Sequence, residues 1–459
     1  MAKSCSCDDF TRSQLLRRGA AIAGKGLPKI EPGMPQPAGT GLDRRTFLLR
    51  SAGAALSVYG AAMLSPRHFE EGIAQASATN PDQPVLVSIF MEGGWDALSV
   101  LAPVREARYK ELRPVLGLTE GSGKVFTEDE TLMWHPAAGG LAELHEEGKV
   151  TVFPAIGYEP SEESHFTSRH YWEVGQLDAN ARSGWMGRYL DLVGEPDNPL
   201  QGLSLDYSLA PALATASMPV AAVSSPADYT MWAYGLGEPL ANPALEAFGA
   251  LGSLAAPSPA YAQARNASYD TSLVLEEMAN FVKSEKESGD HATVTYPAGE
   301  FAERLAVLAA MLHNGMPIKC VSLNAVGSYD THAGELDTLS TNLEQTIPAL
   351  VAFQRDLEAR GLDQRVLVQL WSEFGRRPKE NGSGTDHGAG GAAFLIGSRA
   401  AGKMVGEFPG LTNLDENENL IRTSDYRGMY CSLLEQWFQT EAGLVIPEAA
   451  SFERPVLVA

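Results

Sequence analysis

Arg365-Val366-Leu367-Val368-Gln369-Leu370-Trp371-Ser372-Glu373-Phe374-Gly375-Arg376-Arg377, running on to Gly384-Thr385-Asp386-His387-Gly388-Ala389-Gly390-Gly391, is the stretch on which the fold turns. Its apolar, β-branched first half predicts a buried strand. The strand ends in a carboxylate and two guanidiniums, and a Gly/Asn/Ser loop then carries a second acid beside a histidine. In an open α/β sheet, ligands gather at the carboxyl ends of strands. Glu373, Asp386 and His387 are hard or borderline metal ligands, and Arg376 or Arg377 can hold an anion. An Arg–Glu ion pair beside a flexible loop accounts for the same residues, so neighbouring stretches must decide.

The pattern recurs on both sides. Upstream, residues 317–324 predict a strand that delivers Tyr329-Asp330-Thr331-His332, two ligand types close enough for one metal ion. Leu336 to Arg360 has the spacing of a long amphipathic helix, bent at Pro348. Nearer the start, Pro84 to Met91 is a buried strand closed by Glu92-Gly93-Gly94-Trp95-Asp96, where glycines let the backbone approach a ligand. A helical segment and a strand at 149–156 follow, giving β-α-β and favouring a parallel sheet. Next comes Ser161-Glu162-Glu163-Ser164-His165, with Ser161 as the expected helix cap. Ser164 then falls in the first turn, where free N–H groups stabilise an anion, and His165 can ligate a metal or move a proton. A strand at 392–397 and a helix from Ser424 complete the body. Three of nine histidines lie in these acid- or serine-bearing loops, which favours a functional centre over scattered caps and ion pairs.

The chain has 459 residues and a net charge of −22, unevenly spread. Residues 1–78 are basic on balance, so the acid surplus lies wholly in the remainder. Such a surface repels phosphate backbones and argues against nucleic-acid binding. A compact anion can still bind where metal ions or arginines reverse the field. Past residue 80 no apolar run is long enough to span a membrane. Cys320 and Cys431 sit in apolar segments and read as small core residues, with a single Cys320–Cys431 bridge as the alternative.

Arg44-Arg45-Thr46-Phe47-Leu48, a small-residue apolar stretch from Ser51 to Leu64, and Ala-x-Ala sites near 74–78 look like a twin-arginine export signal. The expected partition is therefore a leader at 1–78 and one domain at 79–459. The Ala/Pro/Ser/Gly-rich residues near 180–295 are expected to form a peripheral insertion.

Gly93-Gly94-Trp95-Asp96, Ser164-His165-Phe166, Tyr329-Asp330-Thr331-His332, Ser372-Glu373-Phe374-Gly375-Arg376 and Gly384-Thr385-Asp386-His387-Gly388 resemble, in order, the domain of unknown function 1501 family. That family looks like a branch of the alkaline phosphatase and sulfatase superfamily. The resemblance implies a three-layer α/β/α sandwich with a mostly parallel central sheet. It implies divalent metal (Zn, Ca, Mg or Mn) held by Asp96, Asp330, His332, Glu373 and His387, with Asp386 as a further ligand. Ser164 becomes the nucleophile, aided by His165, and Arg376 the group that binds substrate oxygens. Phe374 stands where the superfamily has a histidine, removing one nitrogen ligand that His165 or Asp386 could replace. The implied activity is an exported hydrolase of small phosphate or sulfate esters, delivered to the periplasm or envelope by the twin-arginine translocase. The alternative is a catalytically silent relative that binds or assembles with other envelope proteins.

Overall fold

The computed structural model describes residues 58–59, 83–226, 229, 243, 246–250, 259–288 and 292–459. The twin-arginine pair and the cleavage sites lie outside them. Within the leader's apolar stretch only β1 (Val58–Tyr59) is described, pairing antiparallel with β7 (Val220–Ala222) at the sheet edge.

At the centre lies β2 (Val85–Phe90), a run of six buried residues. On one side it pairs in parallel with β8 (Cys320–Asn324), on the other with β9 (Val366–Trp371). With both edges paired and both faces covered, the strand must be apolar on both sides, which is why its sequence is a continuous run. The sheet continues through β6 (Gly202–Ser204) to β7 on one flank. On the other it passes through β12 (Gly391–Ile396) to β5 (Val150–Gly157) and β13 (Ser424–Asp425). Pairing is parallel except at β1 and at β12, which runs antiparallel to both β5 and β9. The carboxyl ends of β2, β5, β8 and β9 therefore share one rim. Between β2 and β5 the chain forms the short helices α1 (Ala97–Val100) and α2 (Ala107–Leu112) and a two-stranded ladder of β3 (Leu101–Ala102) and β4 (Met133–Trp134).

Helices cover both faces, so the three-layer α/β/α class expected from the sequence is the one observed. On one face, α3 (Gly139–Glu146), α7 (Glu300–His313) and α8 (Glu335–Ala359) pack their aliphatic side chains onto Val85, Val87, Ile89, Val366, Val368 and Leu370. On the other, α4 (His165–Val174), α5 (Trp185–Val193) and α9 (Tyr426–Ser432) meet Leu86, Phe90, Leu367 and Trp371. Each such aliphatic or aromatic side chain contributes about 1.5–3 kcal/mol on burial. Pro348 lies inside α8, as expected. Cys320 and Cys431 are buried free thiols.

Two local expectations change. The residues β6 and β7 were expected to stand apart in the insertion, yet they extend the main sheet. Helix α4 begins at His165 with Ser164, not Ser161, as its cap.

The long helix α6 (Pro259–Ser288) buries Asp270, whose Oδ2 has no hydrogen-bond partner among the described residues. Burial, and then the charge of Asp197, push its carboxyl up to about 7. The folded value lies above the unfolded one near 3.9, so stability tied to the protonated form is complete below about pH 4 and lost as pH rises through about 7. Asp270→Asn should thus stabilise the protein by on the order of 3–4 kcal/mol at pH 8 but only on the order of 1 kcal/mol at pH 5. Urea unfolding at the two pH values checks this; equal gains at both would contradict it.

Candidate metal centre

The site is built where loops leave the carboxyl ends of β2, β8 and β9 and meet the start of α4. The β2 loop comes first, because its glycines set how closely everything else packs. Gly93 has φ +117°, and a Cβ there would lie 2.3 Å from the backbone nitrogen of Asp330. Only glycine permits that approach. The hairpin of β10 (Arg376–Glu380) and β11 (Thr385–His387) is stitched to the β8 loop. Thr385 N donates to Thr331 O at 3.0 Å, Glu335 N to Ser383 O at 2.9 Å and Asn381 Nδ2 to His332 O at 3.1 Å. A Cβ on Gly384 would meet Thr331 O at 2.2 Å. These contacts bring residues 330–332 beside residues 386–387.

His165, Asp330 and His387 then offer ligand atoms that all lie within 4.8 Å of one another, and this group could hold a metal ion. His165 Nε2 is 3.4 Å from Asp330 Oδ2; His387 Nε2 and His332 Nε2 are 3.3 Å and 3.2 Å from Asp330 Oδ1. The two imidazoles His332 and His387 bring their Nε2 atoms to 3.0 Å.

What fixes the rings is chemically informative. His387 Nδ1 lies 2.8 Å from the carbonyl of Glu163, an acceptor only, so that nitrogen carries the hydrogen. His165 Nδ1 meets Glu373 Oε1 at 2.7 Å and His332 Nδ1 meets Asp386 Oδ1 at 3.3 Å. Each ring thus donates outward from Nδ1 and turns Nε2 toward Asp330. Metal-ligating histidines are held in this manner. The charges agree: the carboxylates of Asp330, Glu373 and Asp386 outnumber the guanidinium of Arg376, a surplus that a divalent cation offsets.

Without a cation the same fields act on protons. Burial pulls the His165 imidazolium down, but Asp330 and Glu373 more than reverse this and raise it to about 9. Burial lowers His387, and Asp330 only partly opposes it. Burial would raise Asp330, yet His165, His332, His387 and Arg376 together hold it far below the usual carboxylate range.

Five residues expected in the centre stand outside the converging atoms. Asp96 is fully buried in an ion pair with Arg113, which also donates to Pro378 O and Arg377 O. Its carboxylate is thereby taken up by a guanidinium. Glu373 accepts from Gly93 N, Gly94 N, Ser372 Oγ and His165 Nδ1, so it orients a histidine and clamps the glycine loop. Arg376 is equally enclosed, donating to the carbonyls of Gly93, Gly94, Tyr329 and Thr385 and to Asp330 Oδ1. Its side chain is wholly buried. Ser164 is half-buried, with Oγ accepting from Thr167 N at 3.5 Å. Asp386 is exposed and holds His332.

Arg113 and Glu335 were not foreseen. Glu335, first residue of α8, accepts from Thr385 Oγ1 at 2.6 Å and from Ser99 Oγ at 3.4 Å. Burial and the neighbouring Asp96 push its carboxyl up, while burial opposes and Arg113 drives the lowering at Asp96. Neither residue lies in a motif that chemistry would single out, so only packing reveals them.

A family model described as a protein of unknown function, DUF1501, matches residues 164–425. No curated protein matches the chain. Among solved structures, it is similar to the PsFucS1 sulfatase from Pseudoalteromonas sp., at 9% identity over 86% of this chain and 78% of that one, TM-score 0.36. It is also similar to the C-terminal periplasmic domain of EcEptC from Escherichia coli in a complex with Zn, at 9% identity over 81% and 88%, TM-score 0.35. A third is the phosphonate monoester hydrolase of Agrobacterium radiobacter, at 11% over 78% and 74%, TM-score 0.33. Likeness this remote fixes no activity. No helix among the described residues is long and apolar enough to cross a membrane.

Proposed function

Since the chain belongs to the DUF1501 family of unknown function, kinship supplies no activity, and we propose from the site itself a metal-dependent hydrolase of small phosphate or sulfate esters. The observation that carries this reading is the inward convergence of His165, Asp330 and His387, each ring fixed from behind. His332 is a fourth donor at the rim. An imidazole-rich set favours a borderline first-row ion such as zinc over calcium or magnesium, which prefer oxygen cages. Bound there, a divalent cation would polarise the ester and favour deprotonation of a neighbouring hydroxyl.

The chain's own groups supply the rest. Ser164 precedes His165 at the start of α4, where N–H groups and the helix dipole favour an anion. Its hydroxyl accepts from Thr167 N, so the hydroxyl hydrogen remains to be given up, and Ser164 is the candidate nucleophile. Arg376 serves through Asp330, fixing the carboxylate that faces the three imidazoles. Glu373 fixes His165. The Arg44-Arg45 pair and the small-residue apolar stretch after it support an exported protein, carried by the twin-arginine translocase to the periplasm or envelope.

The test is metal content of the purified full chain together with turnover on a panel of phosphate and sulfate esters. Roughly stoichiometric metal with turnover lost on chelation is expected; metal without turnover on the whole panel would move the chain to the silent, binding class. Within this reading, Glu373→Gln should weaken metal binding about 10–100-fold, the usual effect of losing an outer partner. Chelator competition measures it, and unchanged affinity would remove Glu373 from its assigned role.

A further inference from the structure

The four inward donors are not equally held. His165 and His387 side chains are each 6% exposed. One is anchored on a buried carboxylate that itself accepts from two backbone N–H groups, the other on a main-chain carbonyl. Asp330 is anchored by the enclosed guanidinium of Arg376 at 2.7 Å. His332 differs in every respect. It is 26% exposed, and its anchor is Asp386, 57% exposed and at the looser distance of 3.3 Å. Asp386 in turn accepts from Asn381 Nδ2 at 3.2 Å, on the same exposed hairpin. His332 is also outside the tight group of three, although its Nε2 comes within 3.0 Å of His387 Nε2.

Coordination number makes this difference matter. Catalytic zinc sites keep three protein ligands and an open position, whereas four protein ligands close a site. With His332 bound, this site would be of the closed kind. Accepting the metal site argued above, we propose that His332 is an exchangeable fourth ligand. It fills the open position at rest and yields it to an incoming tetrahedral oxyanion, while His165, Asp330 and His387 remain. The Asp386 anchor is itself exposed, so the ring can swing toward solvent without breaking a buried hydrogen bond at Nδ1.

The experiment uses the full chain loaded with Co(II), whose visible absorption reports coordination without any turnover, titrated separately with inorganic phosphate and inorganic sulfate. His332→Ala should retain one ion per chain, whereas His387→Ala should lose it. The His332→Ala protein should bind phosphate or sulfate about tenfold more tightly than wild type, because no ligand has to leave. Loss of the ion from His332→Ala would make His332 a permanent ligand and overturn the proposal. So would anion binding that is equal or weaker. Should His332→Ala not fold by circular dichroism, Asp386→Asn loosens the same arm and must shift anion binding in the same direction. The two readings can fail separately. Co(II) and anion behaviour as stated, with no ester hydrolysed, retains the exchangeable ligand and ends the hydrolase; hydrolysis without the anion effect does the reverse. A wild-type chain that takes up no metal ends both.

Discussion

Asp330→Ala is expected to bring the metal content of the purified chain from about one ion to near zero, and to abolish turnover of any ester that the wild type hydrolyses. Asp330 is the carboxylate onto which His165, His332, His387 and Arg376 all converge. Its removal takes away a ligand and also leaves the buried guanidinium without its counter-charge. Since losing an outer partner alone weakens metal binding about 10–100-fold, losing this central group should exceed that range. Asp330→Asn, which keeps the volume but not the charge, separates the two effects. It should retain the fold and still fail to hold metal. Elemental analysis of both variants decides, and wild-type metal content in Asp330→Ala would sink the site.

The second large effect is structural. Arg376→Ala should destabilise the protein by about 3–5 kcal/mol, the cost of breaking a buried charged network from one side. The guanidinium is enclosed and donates to the carbonyls of Gly93, Gly94, Tyr329 and Thr385 besides Asp330. Those acceptors belong to three different loops, so the variant leaves several buried oxygens without a donor at once. Arg376→Lys should recover little, because an ammonium cannot fork between acceptors on opposite sides. Denaturant unfolding measures the loss; a change under about 1 kcal/mol, small by the standard of buried pairs, would mean that solvent or other groups replace the network.

Arg376 also shows where reading the sequence succeeds and where it stops. The strands β2, β8 and β9 were legible because central parallel strands need continuous apolar runs. That three-residue β6 and β7 extend the main sheet was not, since so few residues carry no periodicity, and the direction of β12 leaves no trace in its composition. The loops bearing Asp330, His332 and His387 were legible from ligand chemistry at strand ends. Their division of labour was not. Whether Glu373 faces a cation or a neighbouring imidazole depends on how closely Gly93 and Gly94 fold over it, which is a matter of packing. Asp96 misled for the same reason: its partner Arg113 follows on an unremarkable helical turn.

The pairing of β2 sets the order in which the polypeptide can mature. Leu86 waits for Cys320, and Val85 for Val366, so the innermost ribbon stays open on both edges through most of synthesis. Contacts that remote form slowly and expose sticky surface meanwhile. On the metal reading proposed above, an ion held by His165, Asp330 and His387 can load only after this closure, because two of the three donors follow β8 in the chain.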